Sequence, residues 1–239
     1  MQDETSWKSK EAADHYVRVA DALIPRRGEI LSTISSLATA LTPNSPRVLD
    51  LGCGNGDVTA AILEEAPEAS VLMSDFSGEM VRLSSERFAD NPRVAVVEHD
   101  LDDGLPPDTP DGTFHAVVSC FSLHHVEHGN RVGLYQEVRR VLRSEGVFVN
   151  GDRFTGDAHR VSTWEFDNWI KFMAEQIKVV FGKEKTLSEL AHGQRESDRR
   201  LGDKPGSIWV MERDLREAGF QYVDCVWKYG NLAIMAAGD

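Results

Sequence analysis

The 239-residue sequence predicts an α/β fold, a doubly wound, mostly parallel sheet of seven strands with helices on both faces. Three observations carry that prediction. Strand-like and helix-like segments alternate strictly over residues 47–150, as parallel βαβ units require. The first strand runs without a break into a glycine-rich turn and then into a helix start. Asp50, Asp75 and Asp100 fall in the C-terminal halves of three successive predicted strands, the edge at which open α/β sheets bind ligands.

Residues 1–10 are polar and predicted to be loose. From Glu11 to about Leu41, apolar positions such as Tyr16, Val19, Leu23, Ile30, Ile34 and Leu37 recur at helical spacing. Pro25 and Gly28 divide this run into two helices joined by IPRRG. The loop LTPNSP leads to 47–51, a short apolar run of the kind that forms a buried parallel strand. Then come a helix at 57–66, a strand at 70–75, a helix at 77–89 and a strand at 94–100. Residues 101–112, rich in Asp, Gly and Pro, form a loop before the strand 114–120. Leu134, Val138, Val141 and Leu142 share one face of a helix over 131–142, Gly146 punctuates it, and 147–150 is the fifth strand.

Residues 158–202 break the alternation. Val161, Trp164, Trp169, Ile170, Met173, Ile177 and Val180 predict a long amphipathic helix ending near Gly182, and 187–201 a second, more polar one. Two compatible readings stand: packing onto the sheet edge, and a lid where the strand C-termini open. The chain closes with a helix at 207–218, stopped at Gly219, and strands 222–229 and 232–236 around Gly230-Asn231, which reads as a hairpin. The expected organisation is one domain over 1–239, with cover helices at 11–41 and a helical lid insertion at 158–202.

The glycine-rich turn, RVLDLGCGNGD from Arg47 to Asp57, carries the chemistry. Glycine lets a ligand lie against bare main chain, and a helix start offers unpaired N–H groups with a partial positive charge. A dinucleotide loop, G-x-G-x-x-G, would put its third glycine at position 57, which is Asp57. The pattern is instead D-x-G-x-G-x-G from Asp50. Acids on both sides of the loop would repel a pyrophosphate and suit a ligand bearing an ammonium and a sulfonium. Here the sequence resembles the class I S-adenosylmethionine (SAM) dependent methyltransferases of small-molecule type, over about residues 47–155 and 207–237. The resemblance implies a Rossmann-like sheet whose last strand is antiparallel, SAM as cofactor, and Asp50, Gly52, Cys53 and Gly54 in its binding loop.

Asp75 closes the second strand, where an acid in a doubly wound fold reaches a ribose. Phe76 to Met80 match the family pattern D-x-S-x-x-M, which implies Phe76 on one adenine face and Met80 beside it; an ordinary core methionine is the other reading of Met80. Asp100 is either a turn residue or, as the family implies, the acceptor for the adenine amino group, with the N–H of Leu101 reaching the ring. His99 fills space. Ser119 to His125 resemble the family's fourth motif, with Cys120 and Phe121 forming a wall near the methionine end. Arg27 stands where relatives meet the methionine end of SAM, so it either contacts the cofactor carboxylate or is a surface loop arginine. His124 and His125 have three readings: structural histidines, with His124 alternatively a general base, or metal ligands with His128. Neighbouring histidines diverge and no acid or cysteine nearby completes a shell, so no metal site is expected.

A net charge of −13 disfavours nucleic acid, and the cluster Arg195, Arg199, Arg200 reads as a solvated helix face. The three cysteines lie at unrelated spacings, and no signal-like or 18-residue apolar stretch appears, so a cytoplasmic enzyme acting on a small molecule is expected. The sequence leaves the oligomeric state open, a homodimer among the options. Two other functions compete with methyl transfer. The IPRRG entry and the 158–202 insertion are similar to the carboxy-SAM synthase group, in which an arginine from 195–200 would pair with a small acid. An NAD-dependent oxidoreductase shares the sheet and Asp75, against which Asp57 counts. A binding-only SAM sensor remains a third possibility.

Overall fold

The structure, a computed structural model, describes residues 9–239; residues 1–8 of the predicted loose segment lie outside the described residues, as does the side chain of Ala12. The first two helices are α1 (Lys10–Leu23) and α2 (Arg27–Ala40). Gly28 lies inside α2, so Pro25 together with Arg26, which takes a left-handed φ of 55°, makes the break.

Seven strands follow: β1 (Arg47–Leu51), β2 (Ser70–Asp75), β3 (Val94–Glu98), β4 (Phe114–Cys120), β5 (Leu142–Arg153), β6 (Tyr222–Tyr229) and β7 (Leu232–Gly238). Their order is β3-β2-β1-β4-β5-β7-β6, with β7 antiparallel to both neighbours. The order reverses between β1 and β4, and such a switch point opens a crevice beyond the strand C-termini. β5 is much longer than 147–150. It begins at Leu142, and its pairing with β4 slips between Leu142 and Val147, so the residues between them bulge. Gly146, expected to end a helix, sits in that bulge, where a Cβ would lie 3.0 Å from the Arg143 carbonyl.

The helices on the sheet are α3 (Asp57–Glu65), α4 (Gly78–Arg87), α5 (Arg131–Val141) and α8 (Ile208–Glu217). Side chains alternate along β1, so Leu49 and Leu51 join Phe114, Phe148, Leu134 of α5 and Leu215 of α8 on one face. Val48 joins Met73, Val149, Ile34 of α2 and Ile62 of α3 on the other. Phe148 is fully buried between Tyr135 and Phe220, with ring centroids 5.9 and 6.2 Å away. Phe148→Ala is expected to cost about 3–5 kcal/mol, read as a lower urea midpoint at unchanged m-value.

Helices α6 (His159–Phe181) and α7 (Leu187–Leu201) form the insertion. Only the middle of the predicted stripe is buried: Ile170, Met173 and Ile177 cluster with Leu190 of α7 and Leu23 of α1, while Val161, Trp164 and Val180 are exposed. Trp169 Nε1 donates to the Leu23 carbonyl at 3.1 Å. The insertion therefore packs on α1, and it also reaches the sheet edge, where Lys228 of β6 donates to Glu165 of α6 at 2.9 Å. Among the described residues no helix is long and apolar enough to cross a membrane.

Candidate functional site

The turn after β1 shapes the crevice. Gly52 has φ +63°, and a Cβ there would collide with the Ser122 side chain, so glycine is required. Gly54 differs: at φ +54°, a Cβ would meet no atom within 4 Å. Its main chain borders a cleft of about 590 Å³, together with Arg27, Gly52, Cys53, Asp75, Phe76 and Met80. A second cavity of about 570 Å³ shares Gly52, Asp75 and Phe76 and continues to His99, Asp100 and Leu101. Nine of the predicted site residues thus line one continuous groove.

Asp75 is fixed at its centre. One carboxylate oxygen accepts from the Gly54 N–H and the other from the Ser77 N–H, each at 2.9 Å. Burial raises its pKa above the usual range, and the N–H groups of Ser77, Gly54 and Phe76 work against that rise. Asp100 accepts from the Asp102 N–H at 3.0 Å, as a turn residue does, and it also lines the groove. His99 does more than fill space, since Nε2 lies 3.1 Å from the Gly104 carbonyl and the ring lines the same groove.

Asp50 and Ser119 do not line the groove. Alternation along β1 turns Asp50 onto the α2/α3 face, fully buried, where it accepts from Thr59 Oγ1 of α3 at 2.7 Å. Ser119 pairs in register with Leu51 and donates to its carbonyl at 2.8 Å. Both residues brace the loop from beneath.

Burial lifts the Asp50 carboxyl to about 7, opposed by Thr59 and reinforced by the charge of Asp75. The folded state then keeps a proton that the unfolded chain releases near 3.8. Unfolding free energy contributed by this group therefore falls as pH rises from about 4 to about 7. Asp50→Asn should gain melting temperature over the native chain progressively across that window, as thermal unfolding at several pH values will read.

Arg27 is a buried residue at the start of α2, not a surface loop arginine. Its guanidinium donates to Asp21 and to Asp57, both at 2.6 Å, and sits against Tyr16. Asp57 also receives Arg87 at 2.5 Å and Asn55 at 3.2 Å. Burial works to raise the Asp57 pKa, but Arg87 and Arg27 overcome it and hold it below the usual range. Asp57 is the first residue of α3, so a carboxylate paired with two arginines stands beside the helix start.

His124 lies outside the cleft. Its Nδ1 is 2.6 Å from Asp152 Oδ1, its main-chain N–H donates to Asp152 Oδ2 at 3.2 Å, and its ring borders a larger cavity of about 990 Å³ under α1, α6 and α7. Tyr16, Phe121 and His125 line both the cleft and this cavity, so the two adjoin. Phe121 adopts φ 55° at this junction, a conformation that costs a bulky residue energy and clusters at ligand sites. Val19, Leu23, Trp169 and Met173 give the cavity apolar walls, with Arg153, Arg200 and Asp203 as its charged groups. Burial, with His124, Arg153 and Lys204 nearby, pushes His125 down to about 2, so it is neutral at pH 7.

Sequence reasoning missed Tyr16, Asp152, Arg153 and Asp203. Asp152 obeys the same strand-end rule that found Asp75, but β5 was placed too short to show it. Asp203 follows α7 in a loop and has no local signal.

The pattern of a family described as "Methyltransferase domain" matches residues 48–146. A carboxy-S-adenosyl-L-methionine synthase from Yersinia pestis is 26% identical over 96% of this chain and 84% of its own length. A SAM-dependent methyltransferase structure from Methanococcus maripaludis superimposes with a TM-score of 0.62, at 18% identity over 96% of this chain and 93% of that one. Human N-acetylserotonin methyltransferase in complex with SAM gives 0.62 at 14% identity, over 98% of this chain and 57% of that one.

Proposed function

We propose, from the match of residues 48–146 to a methyltransferase domain family, that this protein transfers the methyl group of SAM to a small-molecule nucleophile. The observation that carries the reading is the bare Gly54 main chain, facing a cleft with Asp75 at its centre and an apolar cavity beyond Phe121. A diphosphate cofactor fits poorly, because Asp57 puts a carboxylate at the first position of α3, beside the helix start where phosphates gather. Asp75 accepts from the ribose hydroxyls, Phe76 and Met80 pack on the base, and Asp100 with the Leu101 N–H reads the base edge. Arg27 lines the cleft, and its buried Nε makes no hydrogen bond, which supports a role at the methionine end.

SAM when bound supplies a methyl group on a sulfonium, an electrophile that needs little further activation. The chain's part is to orient and to exclude water. Holding an acceptor in line against the methyl carbon can account for about 7–11 kcal/mol of a barrier. The cavity under α1, α6 and α7 holds that acceptor, with the insertion as its lid. His124, oriented by Asp152, is the group placed to take the acceptor's proton. The described cysteines are all free, which fits a cytoplasmic home. Turnover of SAM to S-adenosylhomocysteine with a panel of hydroxyl, amine and thiol acceptors tests the reading; a folded protein without measurable SAM affinity would end it.

A second reading has its own support, the 26% identity to a carboxy-SAM synthase, which extends over 96% of the chain and so through the insertion. Arg200 lines the cavity, where a substrate carboxylate could meet it. The mass of the adenosyl product separates the two: demethylated cofactor supports methyl transfer, and a carboxylated one supports the alternative.

A further inference from the structure

We infer that His124, His125 and Asp203 form a binding site for one divalent first-row transition-metal ion in the wall of the acceptor cavity. One donor atom from each residue lies within 4.8 Å of the other two. Asp203 Oδ1 stands 3.4 Å from His125 Nδ1 and 3.8 Å from His124 Nε2. Ligands arrayed tetrahedrally at ~2.1 Å from a zinc ion are themselves ~3.4 Å apart, so small side-chain shifts would close a shell. Asp203 is the acid that the sequence around the histidines lacks; folding brings it there from the far end of α7.

The surroundings are arranged as metal sites require. Asp152 Oδ1 lies 2.6 Å from His124 Nδ1 and orients the ring, so that Nε2 is the nitrogen facing Asp203. Arg153 grips the other oxygen of Asp203 at 2.6 Å, fixing the carboxylate while Oδ1, buried, accepts no hydrogen bond. His125 is anchored through the Leu201 main chain. Around the donors, Asp152, Asp198 and Asp203 face a single guanidinium, Arg153, and Lys204 is paired with Glu127. Two imidazoles and one carboxylate favour zinc, iron(II), cobalt or manganese over magnesium and calcium, which prefer all-oxygen shells. All three residues line the large cavity, so open coordination positions would face it. On the methyl-transfer reading, an acceptor heteroatom would bind there and lose its proton to solvent more easily, a role that replaces His124 as base.

The test uses untagged, chelator-treated protein without SAM. Calorimetric titration with zinc is expected to give one site and titration with magnesium none. Cobalt(II) should develop d–d absorbance with the same stoichiometry. Asp203→Asn and His125→Gln should each weaken zinc binding at least tenfold, while His128→Gln leaves it unchanged. Melting curves and far-UV circular dichroism establish that the variants fold. Zinc-induced shifts of the His124 and His125 ring nitrogens in the native chain give a readout that needs no variant. Absence of saturable zinc binding, binding unaffected by either folded variant, or shifts confined to other histidines overturns the site. Zinc binding in a protein that fails to bind SAM would keep the site and remove the methyl-transfer reading, so the two fail separately.

Discussion

Asp75→Ala is expected to weaken SAM binding by roughly 30- to 1000-fold, from the loss of two charge-assisted hydrogen bonds worth ~2–4 kcal/mol together. The carboxylate is held at the groove by main-chain donors on both oxygens, so its spare lone pairs point where a ribose would present its hydroxyls. Those same bonds mean that the substitution is not silent in the free protein. The N–H groups of Gly54 and Ser77 lose their partner, and Ser77 also caps α4 by accepting from the Met80 N–H. A lower melting temperature should therefore accompany the lost affinity. A 2′-deoxy analogue of S-adenosylhomocysteine separates the two effects. It should bind the native protein more weakly than the parent ligand and bind Asp75→Ala no worse than the parent does. Calorimetry on a folded variant with unchanged SAM affinity would contradict the assignment of the groove.

Most of this groove was legible because its residues are local to strand ends. The glycine loop, Asp75 with Phe76, and Asp100 with Leu101 each sit within a few residues of a C-terminal strand edge, and the α/β topology alone gathers such edges. Asp50 obeys the same rule and still misses the groove, because a period of two sends it under the loop instead of over it. β5 was read short because Gly146 marks a bulge as readily as a helix end, and Asp152 and Arg153 were lost with its last residues. The larger cavity depends on α1, α6, α7 and β5 meeting, contacts between segments more than a hundred residues apart, as between Trp169 and Leu23. Hydrophobic period gave these helices but carries no information about which partner each one covers. The pairing of His124 with Asp203, 3.8 Å apart in space and far apart in the chain, has the same origin.

Gly54→Leu should weaken SAM binding strongly while a matched substitution elsewhere does not, and the comparison isolates why that glycine is there. Gly54 and Gly112 have nearly the same backbone, φ +54° and φ +57°, and at neither would a Cβ touch another atom within 4 Å. Each substitution by leucine should therefore cost a similar ~1–2 kcal/mol of backbone strain, seen as similar drops in melting temperature. Their surroundings differ. Gly112 is exposed in the turn before β4, whereas the open space at Gly54 is the cleft itself. A side chain at Gly54 would stand where the ligand rests on main chain, and overpacking of ~1–3 kcal/mol even after relaxation predicts roughly 5- to 150-fold weaker binding. Gly112→Leu should bind SAM as the native protein does. Because strain is common to both variants, equal SAM affinities in the two would mean that the cleft beside Gly54 is not where the cofactor lies. A selective loss in Gly54→Leu would tie the bare main chain after β1 directly to cofactor binding.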